Sequence, residues 1–151
     1  MGKEARARIK INKLLEESGW RFFDSLQGRA NITLEINTKL TERALNDLGE
    51  DFEKTKSGFI YFLLLDEKSF PLAVLEAKRE EKNPLNGKEQ ARKYAQSLNV
   101  RFVILSNGNL HYFWDIETGN PYIVTSLPNY ESLIHRGSFK PKPEILIKEP
   151  I

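Results

Sequence analysis

Hydrophobic and polar positions along this chain switch between two periods. From Lys3 to Ser18, Ile9, Ile11, Leu14 and Leu15 make a rough helical stripe among Arg6, Arg8, Lys10 and Lys13, which predicts an amphipathic helix. Gly19 stands where such a helix is commonly closed, and Trp20, Phe22 and Phe23 lead toward a core. Ala30 to Asn37 alternates Ile32, Leu34 and Ile36 with polar residues, the period of a half-buried strand. Thr41 to Phe52 predicts a short helix with Thr41 as its cap. Phe59–Leu65 and Phe70–Lys78 are apolar runs joined by Asp66-Glu67-Lys68-Ser69, which predicts a hairpin. After a polar loop holding Pro84, Asn86 and Glu89 have capping-box spacing, so a helix is expected from Asn86 to about Leu98. Val100–Leu105 and Leu110–Asp115 predict two more strands around a Ser-Asn-Gly-Asn turn. Tyr122–Thr125 suits an edge strand and Asn129–His135 a last short helix.

A helix between the Lys78 strand and the Val100 strand is a crossover, so those two strands should be parallel neighbours, while the hairpin is antiparallel. The expected class is therefore α/β, with a mixed central β-sheet flanked by helices. Residues 1–138 should form one domain. Residues 139–151, carrying Pro141, Pro143 and Pro150, read as a linker toward a further C-terminal region.

Composition narrows the chemistry mainly by exclusion. With no cysteine among 151 residues, disulfides, thiolate metal sites and a cysteine nucleophile are excluded. Two histidines, His111 and His135, are too few for a His-rich metal site, and His111 is expected to be structural. No Walker-type phosphate loop occurs. The lack of a membrane-length apolar run or a signal-like start leads us to expect a cytoplasmic protein without membrane contact. A net charge of +2 does not by itself indicate a nucleic-acid partner; local groups of cations would have to carry that role.

The strand Pro71–Lys78 holds the main chemical signal. Side chains alternate along a strand, so Glu76 and Lys78 share a face. Opposite charges at the end of a core strand are costly unless paired, solvated or put to use. A solvated pair is the plain alternative. The chemical reading is half of a metal-dependent phosphodiesterase site: carboxylates hold hard cations, and a lysine stabilises a phosphate. The hairpin centre, between Lys68 and Ser69, places residue 61 across from Glu76. That residue is Tyr61, where a second carboxylate would be useful. Asp66 should lie across from about Pro71, roughly 16 Å from Glu76 along the strand. Gln90 and Tyr94, spaced i, i+4, share a helix face that can overhang the strand end.

Glu76-Ala77-Lys78, Gln90-x-x-x-Tyr94, Ser106-Asn107-Gly108 and Tyr112-Phe113-Trp114-Asp115 together resemble the N-terminal nuclease domain of type I restriction enzyme R subunits. That is the RecB-like branch of the PD-(D/E)xK superfamily, and the likeness runs from about residue 4 to 135. It implies a restriction-endonuclease-like core and Mg²⁺-dependent cleavage of double-stranded DNA, with Mn²⁺ as a substitute. It implies Glu76 and the Ala77 carbonyl as metal ligands, Lys78 as the catalytic lysine, and Gln90 and Tyr94 as the helix pair. Glu4 is a looser match to an acidic residue of the first helix. Tyr61 stands where the family expects aspartate. Arg79, Lys82, Lys88, Arg92 and Lys93 would flank the site and meet phosphates. Partners would be methylation and specificity subunits, with ATP used only by a motor region outside this sequence. Two other readings use the same fold: a degenerate DNA-binding module, and a docking module.

Overall fold

The computed structural model describes residues 3–34 and 59–138. The helix predicted over Thr41–Phe52, the end of the strand predicted through Asn37 and the proline-rich segment from 139 lie outside them. Helix α1 (Lys3–Glu17) is followed by β1 (Ile32–Leu34), β2 (Phe59–Leu65) and β3 (Pro71–Lys78). Helix α2 (Lys88–Ser97), strands β4 (Phe102–Ser106), β5 (His111–Asp115) and β6 (Tyr122–Val124), and helix α3 (Tyr130–Gly137) complete the described part. The strands form one six-stranded sheet in sequence order. Only β3 and β4 run parallel; the other neighbouring pairs are antiparallel. The expected mixed α/β sheet is present, because α2 carries the chain back across the sheet before β4 begins.

Strand alternation divides the core in two. On one face Phe62, Leu64, Ala73, Leu75, Ile104 and Phe113 pack with Ile11 and Leu15 of α1 and Leu133 of α3. On the other, Tyr61, Leu63, Val74, Val103, Leu105 and Trp114 pack with Ala91 and Ala95 of α2. The buried stripe of α1 is Ala7, Ile11 and Leu15, one turn apart, so Ile9 is left exposed rather than joining it.

Several boundaries move by a residue or two, each for a local reason. Asn86 does not cap α2. The cap is Gly87, in a left-handed conformation at φ 81°, without a side-chain hydrogen bond. Val100 lies in the turn after α2, where Asn99 turns left-handed (φ 57°) and the Val100 amide donates to the Ala95 carbonyl. Leu110 belongs to the turn before β5, its amide donating to Asn107 Oδ1. Asn129 does cap α3, accepting from the Ser132 amide at 2.8 Å.

Candidate functional site

The site grows from the β2–β3 hairpin. Asp66 builds its turn: Oδ1 accepts from the amides of Lys68 at 2.8 Å and Phe70 at 3.0 Å. A register shift between Leu64 and Leu65 brings Asp66 opposite Phe70 rather than Pro71. Beyond the shift the ladder is regular, and Tyr61 pairs with Glu76 as the symmetric hairpin predicts. Both point to the face covered by α2, together with Lys78, because alternate residues share a face. Ala77 lies between them in the strand, paired with Ile60 on one side and Ser106 on the other.

Glu76 is wholly buried and Lys78 is only 3% exposed. Lys78 Nζ stands 3.5 Å from Glu76 Oε1. Neither carboxylate oxygen receives a well-formed hydrogen bond. Burial therefore dominates, pushing the Glu76 carboxyl up to about 7; Lys78 and, more weakly, the Tyr61 hydroxyl pull it back down. The folded-state value lies above the ordinary one of 4.5, so the native state keeps a proton that the unfolded chain has lost between about 4.5 and 7. Stability should fall by about 3 kcal/mol as pH rises through that window, and level off above it. Glu76→Gln should remove this slope, which urea unfolding from pH 4 to 8 would reveal. Parallel curves for the two proteins would contradict the assignment.

Helix α2 lays its first turns over these charges. Gly87 sits directly against them: a Cβ placed there would lie 3.5 Å from Lys78 Nζ and 3.8 Å from both Gln90 Oε1 and Glu76 Oε2. Glu76, Lys78 and Gln90 thus converge beneath one backbone position. Gln90 is exposed and marks the mouth. One turn on, the Tyr94 ring stacks on Tyr61, centroids 4.6 Å apart and planes at 22°. The Asn86-Gly87 dipeptide was the sequence signal for the left-handed cap, but the capping-box spacing to Glu89 pointed to Asn86 instead.

The flanking cations are variously engaged. Arg92 is tied to Glu89 within α2, and Arg79 Nε lies 3.6 Å from Glu81. Lys88 Nζ is 6.0 Å from the centre of the Trp114 ring. Lys93 is exposed and Lys82 half-buried. His111 is structural, as expected: its Nδ1 lies 2.8 Å from Ser106 Oγ, and burial lowers its pKa.

As a metal site the described residues are incomplete. Glu76, a buried carboxylate beside Lys78 and Tyr61, offers oxygen donors of the kind a hard cation takes. Across from it, however, stands a phenol, which is neutral at pH 7 and a poor ligand for Mg²⁺. Among the described residues no group of three His, Cys, Asp or Glu could hold a metal. Glu4 lies in α1, with its side chain outside the described part. The set does not fit Mg²⁺ as it stands.

Residues 50–128, more than half of the chain, match the family model for the type I restriction enzyme R protein N terminus. The chain belongs to that family. The matched stretch of this R-protein N-terminal domain spans β2 to β6 and so includes Tyr61, Glu76, Lys78, Gln90 and Tyr94. Its fold is similar to a fragment assigned to the HsdR subunit of a type I restriction enzyme from Vibrio vulnificus YJ016, with a TM-score of 0.59 and 24% identity. The likeness covers 90% of this chain but 25% of that one, so the domain spans about a quarter of the protein it resembles. No curated protein matches it. Among the described residues of the domain, no helix is long and apolar enough to cross a membrane.

Proposed function

We propose that this domain engages double-stranded DNA within a cytoplasmic type I restriction complex, and that its phosphodiester-cleaving site is silent in this chain. The observation that carries the second half is Tyr61: it stands opposite Glu76 and is stacked on Tyr94. One buried carboxylate with its pKa near 7 does not make a strong cation site. In a site of this kind Mg²⁺, with Mn²⁺ as a substitute, would need a second anionic ligand. The exposed Gln90 and Lys93, with Lys88 beside them at the start of α2, support a role in meeting a phosphate. Membership of the R-protein family supports methylation and specificity subunits as partners, with ATP consumed elsewhere in the R subunit.

The test uses the native chain. Duplex DNA followed by fluorescence anisotropy should bind, and the affinity should fall as salt rises, with a log–log slope of about −0.9 per phosphate neutralised. Supercoiled plasmid incubated with Mg²⁺ or Mn²⁺ should stay intact. Nicking that disappears in Glu76→Gln would overturn the silent site, and absence of salt-dependent binding would overturn the DNA role.

A further inference from the structure

The loop from Lys78 to Gly87 connects the strand that carries Glu76 and Lys78 to the helix that carries Gln90 and Tyr94. What holds it comes from the parallel neighbour. Ala77 pairs with Ser106, so the chain leaving β4 lies beside the chain leaving β3. The next residue, Asn107, is 8% exposed and has all its amide groups engaged. Its Nδ2 donates to the carbonyls of Lys82 at 2.7 Å and Glu80 at 3.3 Å. Its Oδ1 accepts from the amides of Asn109 at 2.9 Å and Leu110 at 2.8 Å. One side chain thus fastens the β4–β5 turn to the β3–α2 loop.

A second tie meets the same point. Lys10 Nζ of α1 donates to Glu80 Oε2 at 2.7 Å and Asn109 Oδ1 at 2.6 Å. Gly108, at φ 91°, lets the turn lie flat on α1, where a Cβ would stand 3.1 Å from that of Lys10. The loop and the turn are therefore held together from two sides, and the loop delivers Gly87 onto Glu76 and Lys78.

We propose that Asn107 is a positioning residue: through Glu80 and Lys82 it sets the β3–α2 loop so that Gln90 and Tyr94 lie over Glu76 and Lys78. This rests on the reading of those four side chains as the site. The two ends of its amide separate this role from simple turn formation. Asn107→Asp keeps the acceptors toward Asn109 and Leu110 but loses both donors, and aims a carboxylate at two carbonyls. Asn107→Ala loses both halves.

Hydrogen exchange of the native chain reads the difference. In Asn107→Asp the amides of Lys82, Lys88, Gln90 and Ala91 should exchange at least about 10-fold faster, the loss of the Lys82 and Glu80 hydrogen bonds being worth about 1 kcal/mol or more, while the β4–β5 ladder stays protected. In Asn107→Ala, Asn109 and Leu110 should join them. Faster exchange confined to Asn109 and Leu110, or spread evenly over the domain, would overturn the proposal. In the Tyr61→Asp protein, adding Asn107→Asp should lower the kcat of plasmid cleavage about 10-fold with KM unchanged. If Tyr61→Asp does not cleave, the reading of the site fails, and hydrogen exchange still decides what Asn107 does.

Discussion

Replacing Lys78 by methionine is expected to lower the unfolding free energy at pH 8 by about 2 kcal/mol, because the buried Glu76 carboxylate loses its partner and must take up a proton instead. Glu76 has no exposed surface and no well-formed hydrogen bond, so the ammonium 3.5 Å away is its main compensation. The loss should depend on pH with a definite sign. Glu76 takes up a proton as pH falls through about 7, and without Lys78 it would do so at still higher pH. Near pH 5 the carboxyl is neutral, little charge is left uncompensated, and the penalty should shrink to about 1 kcal/mol or less. The double variant Glu76→Gln/Lys78→Met should recover most of the stability at pH 8, because removing a buried pair whole is often close to neutral. Urea unfolding of the three proteins at both pH values measures this. Equal losses at pH 5 and pH 8, or a double variant no better than the single, would contradict the pairing.

The second large effect is expected at Tyr61. Tyr61→Asp removes a ring stacked on Tyr94 and brings a carboxylate opposite Glu76, with Cβ atoms about 5 Å apart. In metal-free buffer the change should destabilise the domain by about 3 kcal/mol, through lost aromatic burial and repulsion between two buried acids. Divalent ions should then reverse the loss. A ligand that binds only the folded state at 100 times its Kd adds about 2.7 kcal/mol. Thermal unfolding with and without Mn²⁺ should therefore show a metal-dependent rise in Tm for Tyr61→Asp and none for the native chain. A native protein that Mn²⁺ stabilises as much as the variant would show that Tyr61 is no obstacle.

Much of this site was legible because its rules are short-range. Strand alternation put Glu76 and Lys78 on one face, and hairpin symmetry put Tyr61 across from Glu76. The i, i+4 rule put Gln90 and Tyr94 on one side of α2. Each needs only a few consecutive residues and one assumed turn. The symmetry argument failed only next to the turn, where the shift after Leu64 moves Asp66 by one position. The rest depended on contacts that no local period carries. Nothing in the sequence spacing says that the Tyr94 ring lies on the Tyr61 ring, and the capping-box spacing pointed to Asn86 where Gly87 starts the helix over Lys78. Asn107 was visible as part of an Asn-Gly turn, but its grip on Lys82 joins residues brought together only by the parallel pairing of β3 and β4. The burial that raises Glu76 needs the whole sheet and α2 in place.

The central claim is that Glu76, Lys78 and Gln90 form a nuclease-type site disabled by the tyrosine at position 61. The most direct measurement is cleavage of supercoiled plasmid in Mg²⁺ or Mn²⁺ by three proteins: the native chain, Tyr61→Asp and Tyr61→Asp/Lys78→Met. Metal-dependent nicking by Tyr61→Asp alone is the predicted result. Cleavage by the native chain, or a Tyr61→Asp protein that binds Mn²⁺ and leaves the plasmid intact, would contradict it.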